Sequence, residues 1–63
     1  MKYQAFATKE GFYKILGQLK KKREEARQEA IRMFRNSNAE ITGYYALPTK
    51  RGEWGEYVEV CKR

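Results

Sequence analysis

The sequence predicts an α+β fold in the order β-α-β-β. One long amphipathic helix would pack on a small three-stranded, mainly antiparallel sheet. Three observations predict it. Apolar residues recur at alternating spacings of four and three from Phe12 to Met33, the repeat of one helix face. Two later segments alternate with period two, as half-buried strands do. And 63 residues are one domain at most, residues 1–63, burying only ~60% of the surface exposed by the unfolded chain.

Each element follows in order. Residues 2–7 read as a short strand weakened by two alanines. Thr8 is placed as a helix N-cap, with Glu10 favouring the positive end of the helix dipole. Over residues 9–35, Phe12, Leu16, Leu19, Arg23, Ala26, Ala30 and Met33 form the stripe, and Ile15 and Phe34 widen it. Gly17 costs about 1 kcal/mol against Ala in a helix. Asn36-Ser37-Asn38 supplies the stop.

In residues 40–47, Ile41, Tyr45 and Leu47 share one face and Thr42, Tyr44 and Ala46 the other. After a turn-rich connection, residues 54–61 place Trp54, Val58 and Val60 on one face. Tyr57, Glu59 and Cys61 take the other, and a bulge at Gly55 would accommodate Glu56. The last two strands form a hairpin. If the third strand also pairs with the first, the order is 1-3-2 and fully antiparallel, the arrangement preferred here. The alternative sets the first two strands side by side in parallel through a right-handed crossover.

A helix of ~26 residues rises ~39 Å, whereas a strand of ~7 residues spans ~23 Å. The helix is therefore expected to overhang its sheet. Arg23 divides its stripe into Phe12-Ile15-Leu16-Leu19 and Ala26-Ala30-Met33-Phe34. One patch covers the sheet; the other calls for a homodimer or a protein partner. A bend near Gly17 or Lys20 would remove that need.

Composition narrows the chemistry. With no His and one Cys, an intramolecular disulfide, the usual zinc ligand sets and a His-based catalytic site cannot be assembled within one chain. No pair of glutamates stands out for acid–base work, and the Lys50-Arg51-Gly52 segment lacks the Lys-Ser/Thr ending of a P-loop. The expectation is a non-enzymatic domain with no cofactor, no metal and no small-molecule substrate. No apolar run approaches the ~18 residues of a membrane span. Cys61 reads as a small apolar filler in a reducing compartment, so a cytoplasmic location is expected.

The net charge of +6 is uneven. Residues 9–35 hold nine Lys/Arg against four Glu, and residues 40–61 hold two against four. Lys20-Lys21-Lys22-Arg23 is the densest run. On a helical wheel Lys14, Lys21, Arg32 and Arg35 fall on the outward side, where they would track a phosphate backbone. Lys20, Lys22 and the loop residues Lys50 and Arg51 join them as candidate contacts for nucleic acid or another anionic partner. The plain alternative is a solvated face, since Glu24–Arg27 and Glu29–Arg32 are ordinary surface pairs.

The aromatics suggest a second surface. With Ile41, Tyr45, Leu47, Val58 and Val60 against the helix, Tyr44 and Tyr57 face away, joined by Tyr3 or Phe6. Such a face resembles the stacking platform of RNA-recognition motifs. Residues 51–60, with the initial Arg51-Gly52 and the later Tyr57-Val58, resemble that family's third-strand signature. The segment departs from it in spacing, in ending on Val60, and in carrying Glu53 and Glu59, and the chain is not assigned to the family. Because of those glutamates, phosphate is expected on the helix and a protein partner on the sheet face, with Tyr44, Tyr57 and Trp54 as its contacts. For Trp54 the structural use, closing the end of the sheet, is the preferred reading.

Three functions follow from these surfaces. The first is a basic binding module for nucleic acid or a nucleoprotein complex. The second is an inhibitor or adaptor acting by protein–protein binding, similar in size and plan to phage and mobile-element accessory proteins such as anti-CRISPR and anti-restriction proteins. The third is a structural homo-oligomer subunit.

Overall fold

The computed structural model describes residues 1–9, 13–49, 52 and 55–63. Its elements are β1 (Lys2–Lys9), β2 (Tyr13–Lys20), α1 (Arg23–Asn36), β3 (Ile41–Leu47) and β4 (Glu56–Lys62). The strands form one sheet in the order β2-β1-β3-β4, every neighbouring pair antiparallel. The helix crosses one face, mainly over β1 and β3. The α+β class with one helix on an antiparallel sheet is as expected; the three-strand β-α-β-β order is not.

The difference lies in residues 13–20, expected to be helical and found as a strand. Leu16 and Leu19 stand three apart, a helical spacing that in a regular strand would place them on opposite faces. The β1–β2 register explains how a strand accommodates it. Phe6 pairs with Leu16 and Gln4 with Leu19, so Gly17 and Gln18 together oppose Ala5. This bulge adds one residue and returns Leu16 and Leu19 to the same face. Gly17 serves a packing purpose there. A Cβ on it would overlap the Glu29 carboxylate, which accepts the Gln18 backbone N–H at 3.0 Å and stands 3.7 Å from Lys20 Nζ.

Other expectations change with it. Thr8 is not a helix cap; it lies in β1, and its hydroxyl donates to the Ile41 carbonyl at 3.4 Å. The helix begins instead at Arg23, with Glu24 and Glu25 in its first turn, where negative charge suits the dipole. It ends at Asn36, where both the hydroxyl (2.5 Å) and the backbone N–H (3.0 Å) of Ser37 donate to the Met33 carbonyl. Fourteen residues rise about 21 Å, close to the length of the strands, so no overhang remains. Ala26 and Ala30 are fully buried, so that part of the second apolar patch is covered by the chain's own sheet.

Strand order follows from direction. The β1–β2 hairpin adds one reversal before the helix, so β3 returns antiparallel to β1 and pairs with it, Ala5 opposite Tyr44 and Ala7 opposite Thr42. The 1-3-2 order and the parallel alternative both assumed a helix leaving directly from the first strand. With β2 present, β4 goes to the edge.

Side chains directly opposite share a face. Tyr3, Ala5, Ala7, Thr42, Tyr44 and Ala46 therefore face the helix, and Gln4, Phe6, Thr8, Lys14, Leu16, Leu19, Ile41, Tyr45 and Leu47 face away. The expected assignment for residues 40–47 is thus reversed. Tyr44 is 5% exposed, its ring edge-on to Tyr3 at 6.1 Å. The helix offers Ala26 and Ala30 at the contact, which brings the backbones close and favours small strand residues beneath. In β4 the irregularity falls at Val60, not Gly55. It turns Val58 and Cys61 toward the helix and Tyr57 and Glu59 away.

Candidate functional site

The helix-free face of the sheet gathers Phe6, Tyr45, Tyr57, Leu16 and Leu19, whereas Tyr3 and Tyr44 lie on the covered face. Phe6, at the middle of β1, lies opposite Gly43 on one side and Leu16 on the other. Its ring is 4.7 Å from that of Tyr45 and 6.1 Å from that of Tyr57, and the two tyrosine rings are 6.4 Å apart. Phe6 is the floor of the cluster, 3% exposed, and Tyr57 is its outer member, 61% exposed. Leu16 and Leu19, each 53% exposed, extend the apolar surface over β2.

Lys14 joins the cluster from β2. Its Nζ donates to the Tyr45 hydroxyl at 2.6 Å and stands 5.3 Å from the Tyr45 ring centre and 5.9 Å from that of Phe6, within cation–π range. A cavity of about 410 Å³ opens here, lined by Phe6, Thr8, Lys14, Ile41, Tyr45, Tyr57 and Glu59. It combines aromatic faces, a cationic donor, hydroxyls and a carboxylate.

One end of the sheet is basic. The pairing of Tyr3 with Lys20 and of Lys2 with Leu47 places Lys2 beside the turn of Lys21 and Lys22, and all three are exposed. Lys20 turns to the helix side and its ion pair with Glu29. Arg23 lies over the Tyr3 ring at 5.6 Å.

The expected cationic stripe is divided between two layers. Arg32 and Arg35 are exposed on the helix, whereas Lys14 lies on the opposite face of the sheet. The helix itself carries four arginines against three glutamates, so it is no longer the basic element. Lys50, Arg51 and Trp54 lie outside the described residues. Of the three residues expected at a protein-partner face, Tyr57 is on the open face and Tyr44 is beneath the helix. Tyr45, expected in the core, stands where Tyr44 was expected. Lys14 belongs with the aromatics, a link that exists only because residues 13–20 form a strand beside β1.

Among the described residues no three Cys, Asp or Glu side chains form a potential metal-ligand group, and no helix is long and apolar enough to cross a membrane. No protein-family model, curated protein or solved structure matches this chain.

Proposed function

We propose that the protein is a non-enzymatic binding module for single-stranded nucleic acid, which it holds across the helix-free face of its sheet. The observation that carries this reading is the cluster of Phe6, Tyr45 and Tyr57 with Lys14 against Phe6 and Tyr45, on a face that ends in the exposed Lys2, Lys21 and Lys22. Single-strand binders combine these two parts: aromatic rings for the bases and cations for the backbone. The net charge of +6 suits a polyanionic ligand.

The test is fluorescence anisotropy with a labelled single-stranded oligonucleotide at low and moderate salt. With Lys2, Lys14, Lys21 and Lys22 on phosphates, the slope of log affinity against log salt is about −3, a loss of roughly fifty-fold between 50 and 200 mM. Lys14→Gln lowers both affinity and slope. Absence of binding at low salt, or equal affinity for duplex, refutes the reading.

A protein partner is the second reading, favoured by the half-exposed Leu16 and Leu19, and an inhibitor or adaptor would use the same face. A partner retained from lysate after nuclease treatment, and lost in a Leu16→Ser/Leu19→Ser variant, would support it.

A further inference from the structure

We propose that the bound strand runs parallel to the β-strands, from Lys62 at one end of the open face to the lysine cluster at the other, which makes Lys62 a further phosphate contact. The partner this course fits is an unpaired run of about six nucleotides. The inference rests on the nucleic-acid reading above and concerns the course and length of the strand that face accepts.

The register lays the open face out in rows. Lys62 is opposite Ile41, and Ile41 is opposite Thr8. At the other end Lys2 is opposite Leu47, with Lys21 and Lys22 in the turn beside it. All four lysines are exposed. Between the two ends come Phe6, opposite Gly43, and then Tyr45, opposite Tyr57. Lys14 reaches inward from the outer strand β2 to the Tyr45 hydroxyl on β3. A lysine on an outer strand can therefore serve a backbone lying over the central pair, and Lys62 is placed to do the same from β4.

Strand geometry then sets the length. Ile41 and Leu47 are the two ends of β3, so the rows of Lys62 and Lys2 are about 20 Å apart. A stacked single strand advances ~3.4 Å per nucleotide, so that distance takes about six nucleotides. A strand crossing from β2 to β4 instead covers three strand spacings, about 14 Å, and leaves one end of the face without phosphate. Glu59 also favours the lengthwise course. It lies opposite Gly43, between Tyr57 and Lys62 on β4, and its charge repels phosphate from that edge. The backbone is then held at the two lysine ends and by Lys14, and the bases between them meet the aromatic rings.

The experiment measures anisotropy of labelled oligothymidines, from about four to about ten nucleotides long, against the intact protein over a range of salt. With Lys62 as a fifth contact, the slope of log affinity against log salt steepens with length to about −3.5 at about six nucleotides and then stays constant. On the longest strand Lys62→Gln and Lys21→Gln, at opposite ends, each take about 0.7 off that slope, and the double variant takes about 1.4. Both side chains are exposed, and circular dichroism checks that the variants keep the fold. A slope that stops steepening at about four nucleotides, or one unchanged in Lys62→Gln, overturns the lengthwise course and leaves the binding module standing. Failure of the longest strand to bind at low salt overturns the course and the module together.

Discussion

Two glycines that a Cβ would crowd respond differently to alanine, because different atoms stand in the way. At Gly43 the added Cβ would overlap the Val58 carbonyl oxygen and stand 2.9 Å from its carbon and 3.0 Å from the Glu59 Cα. All three are backbone atoms, so no rotamer change relieves the contact and β4 has to shift. Overpacking of this kind costs about 1–3 kcal/mol, and each β3–β4 ladder bond lost adds about 1 kcal/mol, giving about 3 kcal/mol for Gly43→Ala. At Gly17 the overlapping atoms belong to the Glu29 carboxylate, and Ala5 Cβ is at an ordinary 3.4 Å. That carboxylate swings outward, losing the Gln18 N–H and the Lys20 ion pair, about 1 kcal/mol in all. Replacing a strand glycine returns about 0.5–1 kcal/mol, so Gly17→Ala is close to neutral. The assay is urea unfolding followed by circular dichroism. With a slope of about 1 kcal/mol per molar, Gly43→Ala lowers the midpoint by about 3 M or leaves the chain unfolded in water. Gly17→Ala moves it by less than about 1 M. Midpoints within about 0.5 M of each other would refute the close approach of β4 to Gly43.

Three further substitutions separate the covered face from the open one. Thr42 is fully buried and its hydroxyl meets no partner among the described residues; Thr42→Val keeps the shape and is expected to stabilise by about 1 kcal/mol, a melting rise of about 4–8 °C. Tyr44→Ala empties the site beneath the helix and costs about 3 kcal/mol, read from the same urea curves. Tyr57→Ala removes a largely exposed ring; it is expected to change stability by less than about 1 kcal/mol while lowering single-strand affinity about tenfold in anisotropy titrations.

The parts of the fold legible in the sequence are those with undisturbed periods. Residues 2–7, 40–47 and 54–61 lie in or overlap β1, β3 and β4, and the helix stop at Asn36-Ser37 is where the chain leaves α1. β2 was hidden because its bulge produces a helical spacing. Local repeats record distance along the chain, and a bulge changes that distance without changing the face. The reversal of Tyr44 and Tyr45 has another cause. Alternation groups side chains by face but does not say which face meets the helix. Side-chain size carried that information: a helix offering Ala26 and Ala30 matches the face of Ala5, Ala7, Thr42 and Ala46. The site was less legible than the fold, because Lys14 meets Phe6 and Tyr45 only once residue 14 lies in a strand beside β1.

The distribution of side-chain size also bears on how this sheet meets a partner. Among the described residues the buried apolar side chains are six alanines, Phe6 and Tyr44, so beneath the helix Tyr44 is the one large buried ring and the rest of the buried contact is alanine. Phe6, Tyr45, Tyr57, Leu16 and Leu19 lie across the other face. The edges are poor docking sites, since β2 and β4 each carry a bulge and charged side chains, features that discourage strand addition. A partner is therefore expected to lie flat on the open face. That face carries Lys2, Lys14 and Lys62 against Glu59. A second copy packed face to face would set three lysines against three, with one glutamate on each side to offset them. Desolvating like charges in that way costs more than two half-exposed leucines return. A polyanion with flat apolar bases meets both demands of the surface, neutralising the lysines while covering the aromatic rings. The same balance predicts a monomer in solution without nucleic acid, measurable by sedimentation at tens of micromolar. A stable dimer there, lost in Leu16→Ser/Leu19→Ser, would reverse this order of preference.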